Sequence, residues 1–440
     1  MDPRENELLV ADASAPTTRK ARRPLWGLLA LILIGLATLS ILYMANVQIR
    51  KDQRKELFSS QRLPVQVHQD DAALEGYLNK DGELAIPAVY EQTRDFAKNG
   101  LAAVKQDGLW GFIDESGEAA IACTFDDTLG FGEGKLAPVK KNGLWGYVDQ
   151  KGELAIPYGF EAAEPFSENG LAAVTLNGKV GYVNRSGKAV IEPQFEQAGA
   201  FDKENHAIVK VFGQWGVINK HGRFVINPQF DRLDDFAPCG LALVEKNGRF
   251  GYIHRNGEYA VLPTLYDATP FAENGLAAVC AEEGGLYGYI NAEGKTVIAA
   301  QFECATPFAA NGLAAVAVTE ALSDGGTTLS WGFINKRGEF VIAPAFRYAS
   351  PFASGLAAVF DGNTFYYIDK TGATVFTPCA DCIYASGFFD DGYALLYCRD
   401  ASKDGSIGYY TQIVDTTGRV IHTQRLSRIA ANTLPFGALY

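Results

Sequence analysis

The sequence predicts an all-β tandem-repeat array of about nine units of roughly 35 residues, preceded by a single N-terminal transmembrane helix. Three observations carry this expectation. An Asn/Asp-x-x-Gly marker recurs along most of the chain, an aromatic-Gly step precedes it in nearly every copy, and residues 25–45 form one uncharged apolar run.

The marker occurs as Asn79–Gly82, Asp114–Gly117, Asp149–Gly152, Asn184–Gly187, Asn219–Gly222, Asn291–Gly294, Asn335–Gly338, Asp369–Gly372 and Asp415–Gly418, with His254–Gly257 in the remaining slot. Successive glycines are 35, 35, 35, 35, 35, 37, 44, 34 and 46 residues apart, and chance does not keep five spacings identical. Asn or Asp opening a tight turn accepts backbone hydrogen bonds, and Gly at the fourth position supplies the permissive dihedral. Each marker therefore reads as a turn between two strands.

Three residues before each Asn/Asp stands a second Gly, usually behind a large aromatic: Trp110, Trp145, Trp215, Phe250, Tyr287 and Trp331. Val180 and Glu75 are weaker copies, and Phe365-Tyr366 loses the Gly. The residues that follow, as in Gly146-Tyr147-Val148, are those of a short strand. Upstream lies a second strand, Gly-Leu-Ala-Ala-Val, at 100–104, 170–174, 275–279, 312–316 and 355–359. Asp107-Gly108, Asn142-Gly143, Asn177-Gly178 and Asn247-Gly248 join the two, and such pairs suit the primed hairpin turns whose central residues need positive φ.

A third short strand follows the marker, then a Pro-x-Phe/Tyr-Asp/Glu corner such as Pro193–Glu196, then a Phe at 96, 131, 166, 201, 236, 271, 308 and 352. These phenylalanines are expected to plug the space between neighbouring units. One three-stranded meander cannot bury its apolar face, whereas stacked neighbours can. Three strands fall short of the usual four of a propeller blade, and the spacing drifts late in the chain. Both favour an open β-solenoid, with a closed propeller-like toroid as the alternative. The insertion at 317–330 falls at a hairpin tip, where added length costs little.

The 21 residues from 25 to 45 are long enough to span about 30 Å of hydrocarbon. The run exceeds a signal-peptide core and is read as a retained signal-anchor. The expected layout is a cytoplasmic tail at 1–24, the anchor at 25–45, a polar stem at 46–72, the repeats at 73–418 and a C-terminal cap at 419–440. Four basic residues flank the anchor on each side, so the positive-inside count is a tie. The usual fate of a large domain behind an N-terminal anchor favours repeats outside the cytoplasm, in the periplasm or at the cell surface.

The 440 residues are 48% apolar and 20% charged, which suits folded rather than disordered material. Formal net charge is −12, and the first 45 residues hold five basic and four acidic side chains, leaving −13 on the rest. An acidic body repels phosphate and argues against a nucleic-acid partner. Seven scattered cysteines are too few and too irregular for a disulfide scaffold.

The combined pattern of Gly-Leu-Ala-Ala-Val, Asn-Gly, Trp-Gly-Tyr/Phe-Ile/Val-Asn/Asp-x-x-Gly and Pro-x-Phe-Asp/Glu resembles the WG-repeat family of bacterial tandem repeats over about residues 74–418. That resemblance implies an all-β array and a binding or interaction role. It brings no catalytic residues, cofactor or metal with it.

Two groups of side chains stand out as candidate sites. The aromatic column of Trp110, Trp145, Trp215, Phe250, Tyr287 and Trp331 suits stacking on sugars, or else interlocking core packing, which the adjoining glycines favour. Cys379-x-x-Cys382 is half of a zinc site without a second pair, and it is open to a local disulfide, to two unpaired thiols, or to metal or redox chemistry. The five histidines are isolated in different units, no phosphate-binding loop is present, and the Asn184-Arg-Ser186 acceptor pattern lies inside a repeat turn. The expected function is a membrane-anchored scaffold for a protein partner, with a cell-wall or polysaccharide binder as the alternative and no enzymatic activity.

Overall fold

The second and third strands of a sheet are apolar on both faces because each sheet is sandwiched between two others, whereas the fourth strand alternates. In Leu171–Leu176, Leu171 and Ala173 enter one inter-sheet cluster while Ala172 and Val174 enter the next. This is why Leu-Ala-Ala-Val reads as a continuous apolar run instead of an alternation. The computed structural model describes residues 62–426 apart from 70–71, 80–82, 133, 323–324, 390–391 and 402–406. All of these fall within one compact unit, Asp52–Leu434. The apolar run at 25–45, the tail before it and residues 427–440 lie outside the described residues. Within them no helix is long and apolar enough to cross a membrane.

Among the described residues the strands form ten antiparallel sheets. The first has three strands, Leu63–Gln69, Ala72–Leu78 and Leu84–Tyr90; each of the others has four. The fourth sheet is representative. A two-residue edge strand, Ala162–Ala163, is followed by Leu171–Leu176, Lys179–Asn184 and Ala189–Phe195, paired in that order. The edge strand sits just after the Phe160-Glu161 corner, and the expectation of three strands per unit omits it.

The array is a closed ten-bladed β-propeller, which corrects both the open solenoid and the count of about nine units. Closure rests on the two end sheets. One face of the tenth sheet packs on the ninth through Ala394, Leu396 and Val414 against Ala358 and Tyr367. Its other side supplies Ile421, which shares a cluster with Val65 and Leu78 of the first sheet. The first sheet meets the second through Tyr77 and Ile86 against Phe96 and Val104. Every sheet therefore has two neighbours, as blades around an axis require. Val420–Leu426, from the segment expected as a cap, is the last strand of the tenth sheet, and Leu63–Gln69, from the expected stem, opens the first. The insertion at 317–330 lengthens the hairpin of Ala314–Ala321 and Thr327–Ile334.

Local chemistry explains the repeat residues. Asn184 Oδ1 accepts the amides of Ser186 and Lys188, and Gly187 closes the turn at φ +79°. Gly146 is required by the fourth strand: a Cβ there would stand 2.7 Å from the Ile156 carbonyl oxygen, beside the bulge that breaks the register. In the ninth sheet Tyr366 replaces this Gly, and the fourth strand shrinks to Thr374–Phe376. Phe96, Phe131, Phe166, Phe201, Phe271, Phe308 and Phe352 each meet an aromatic of the preceding sheet, with centroids 4.6–4.9 Å apart.

Candidate functional site: the hairpin-tip face

The hairpins between second and third strands place one tip per sheet on the same face of the ring. Asp107, Asn142, Asn177 and Asn247 take φ of 52–54° there, each followed by Gly at positive φ. The acid that directly follows the corner aromatic (Tyr90, Phe125, Phe160, Phe195 or Phe230) reaches the tip of the sheet it leads into. Glu91 accepts the Gly108 amide at 2.8 Å, Glu161 that of Gly178 at 2.9 Å and Glu196 that of Gly213 at 2.9 Å. Asp126 and Asp231 do the same at 3.4 Å to Gly143 and 2.6 Å to Asn247. Sheets two to six thus carry an exposed carboxylate at every tip.

The fifth sheet breaks the pattern. Its tip is Phe212-Gly213, and Phe212 holds φ +50° with its residue 92% exposed. A bulky side chain in the left-handed region is uncommon and strained, where Asn or Asp is tolerated. Strain kept at an exposed aromatic points to use of that side chain. Leu109, Leu144 and Leu286, next to the tips of sheets two, three and seven, are exposed on the same face. Turn-by-turn reading passed over Phe212, although the missing Asn/Asp in Val211-Phe212-Gly213 was the available signal.

The aromatic column lies between sheets. Trp110 and Trp145 are buried, at 4% and 8% exposed. Trp215, Phe250, Tyr287 and Trp331 are half-buried, each packed against an apolar cluster that includes residues of the next sheet, such as Leu233, Ala268, Phe308 and Ala349 in turn. Cations cover three of the indoles: Arg94 on Trp110 at 4.9 Å, Lys140 on Trp145 at 6.0 Å and Lys210 on Trp215 at 5.3 Å. The Tyr287 hydroxyl donates to the Asp267 carboxylate. In the fourth sheet Val180 and Thr175 replace the indole and its cation. The place is left as a cleft of about 70 Å³ lined by Ala163, Ala173, Val180 and Ala198.

Cys379 and Cys382 flank a turn in which the Cys382 amide donates to the Cys379 carbonyl at 3.0 Å. The structure adds a third thiol that sequence spacing did not connect to them: Cys398 Sγ stands 3.0 Å from Cys379 Sγ. Among the described residues no cluster of His, Cys, Asp and Glu has the arrangement of a metal site.

Comparison with curated proteins finds no match. Among solved structures, similarity extends to a crystal structure of the eukaryotic initiation factor, with TM-score 0.47 and 13% identity over 83% of this chain and 96% of that one. It extends also to Hsv2p of Kluyveromyces lactis, with TM-score 0.29 and 10% identity over 54% and 96%. Sqt1 of Saccharomyces cerevisiae gives TM-score 0.29 and 10% identity over 67% and 93%. All three scores fall below 0.5, and the architecture rests on the strand order above. The WG containing repeat matches at residues 76–110, 110–145, 145–179, 181–213, 215–250, 250–284, 287–318 and 331–365. Each match covers the last two strands of one sheet and the first two of the next, so the repeat straddles two blades. With these eight successive matches over more than half its length, the chain belongs to the WG containing repeat family.

Proposed function

We propose that this propeller is a protein-binding scaffold that engages its partner through the hairpin-tip face. The observation that carries the reading is Phe212, an exposed ring held at a strained tip where the sister sheets place Asn or Asp. The surrounding tip carboxylates and exposed leucines suit a partner surface that combines apolar and basic side chains. Burial of Trp110 and Trp145 leaves these two indoles little face for stacking on sugars and so supports the protein reading over the glycan one. The reading includes attachment to a membrane through residues 25–45 and repeats on the extracytoplasmic side, supported by the length and apolarity of that run.

The test is a photo-crosslinking amino acid placed at 212 and, as control, at 177 in the full chain in cells. A discrete protein adduct at 212 and none at 177 is the expected result. Adducts of equal yield at both positions, or none at 212, overturn the proposal. Protease accessibility of the tips in intact cells tests the orientation separately.

A further inference from the structure

Three cysteines and a tyrosine converge at the start of the tenth sheet, beyond the last repeat match. Cys379 follows the shortened fourth strand of the ninth sheet, Thr374–Phe376, and precedes the edge strand Cys382–Ala385. Cys382 is the direct cross-strand neighbour of Cys398 in Tyr393–Ala401. Cys379 Sγ lies 3.0 Å from Cys398 Sγ and 3.5 Å from the Tyr410 hydroxyl, while Cys382 Sγ is turned to the Tyr384 carbonyl at 3.2 Å. Cys398 is buried, and Cys379 is half-buried. The other four cysteines are far apart in sequence, none with an Sγ···Sγ contact among the described residues.

We propose that Cys379 and Cys398 form a reversible thiol–disulfide site that takes a low-molecular-weight disulfide of the glutathione type as oxidant. The Cys379 thiolate attacks one sulfur of the small disulfide, whose S–S bond breaks. The first small thiolate leaves and takes up the proton that Cys379 released. The Cys398 thiol gives up its proton and its thiolate attacks Cys379 Sγ, the mixed S–S bond breaks, and the second small thiolate leaves and takes up the proton that Cys398 released. Two protein thiols are oxidised and one small disulfide is reduced to two thiols. Access sets the order within the pair, since Cys379 is a half-buried residue and Cys398 a buried one. Closing the bond moves the two sulfurs together by about 1 Å.

The link would join the segment after the ninth sheet to the second strand of the tenth. That is the seam where Tyr366 has displaced the Gly and the fourth strand has lost its far half. Burial pushes the Cys379 thiol up, and Cys398 is raised by its contact with Cys382 and by burial, so exchange speeds up as pH rises. The proposal does not rest on the partner-binding reading.

The experiment treats the full chain in detergent with excess oxidised glutathione and maps its peptides without reduction. The expected product is a Cys379–Cys398 linked peptide that dithiothreitol removes, that survives Cys382→Ser, and that raises the thermal midpoint by several degrees. A Cys379–Cys382 link, glutathione adducts alone, or a link that Cys382→Ser abolishes overturns the proposal. So does stoichiometric zinc on the purified chain that is lost with Cys379→Ser. Far-UV circular dichroism of each variant shows that a missing link does not reflect unfolding.

Discussion

The Tyr147 hydroxyl, in a fully buried side chain, donates a 2.8 Å hydrogen bond to the backbone carbonyl of Glu164 in the following sheet. The same bond joins Tyr77 to Arg94, Tyr182 to Gly199, Tyr252 to Thr269, Tyr289 to Thr306 and Tyr367 to Ser386, at 2.6–2.8 Å. Each one ties two blades through a main-chain acceptor beside an edge strand. Tyr147→Phe leaves that carbonyl without its partner and is expected to cost about 1–3 kcal/mol. The thermal midpoint of the variant checks it, and an unchanged midpoint would show that water replaces the hydroxyl. Phe112 and Phe333 hold the equivalent place in their own sheets, so the fold itself should survive.

Gly146→Ala tests a different contact. The new methyl meets the backbone of Ile156–Tyr158 and must displace the fourth strand. Overpacking of this kind is expected to cost about 1–3 kcal/mol, and hydrogen exchange should rise in Leu154–Phe160 specifically. Protection unchanged in that strand would mean that the Trp-Gly glycine serves the ring, as the sequence pattern suggests, and not the strand crossing.

Turn chemistry is local, which is why Asn142-Gly143 and Asn184–Gly187 could be read from residue order alone. Ring closure is not local: it depends on Val65 and Leu78 meeting Ile421 at the far end of the chain. Edge strands such as Ala162–Ala163 are two residues long, too short to show a period, so each blade looked one strand poorer than it is. Cys398 escaped notice for the same reason as the closure, standing 19 residues from Cys379. Phe212 was legible, but only as a departure from the repeat, and departures mark function where the repeat marks fold.

The cleft beside Val180 reads as a missing indole. Val180→Trp is expected to fill it against Ala198 and stabilise the propeller by about 0.5–2 kcal/mol, as cavity filling commonly does. Adding Thr175→Lys should extend the gain by restoring the cation that covers Trp145 and Trp215 in the adjoining sheets. A lower midpoint for Val180→Trp would show that the two sheets have closed up around valine.

Acid should loosen the marker turns that use Asp. The Ser116 hydroxyl and backbone amides hold the Asp114 carboxyl below its ordinary 3.8, and the Thr371 hydroxyl does so for Asp369. Folded values below the unfolded ones mean that this stability is present above pH 3.8 and is lost as pH falls through the lower folded values. Asp114→Asn with Asp369→Asn keeps the acceptor, as Asn184 and Asn219 show, and removes the proton site. The acid midpoint followed by tryptophan fluorescence should move to lower pH with little change at neutrality. An unmoved acid midpoint would assign acid unfolding to other carboxylates.

Burial pushes the Cys304 thiol up to about 11 from an ordinary 9.0, with the Glu303 charge adding to the effect. The thiolate is the reactive form, so at pH well below 9 the Cys304 thiolate fraction is about 100-fold smaller than that of an unperturbed thiol. Alkylation followed by peptide mass spectrometry should label exposed Cys239 well before Cys304 at mildly alkaline pH. Limited access would also slow Cys304, so the discriminating quantity is the shape of the profile. Its rate should climb about tenfold per pH unit and level off only near 11. A plateau near 9 would place the thiol in contact with solvent and remove burial as the cause.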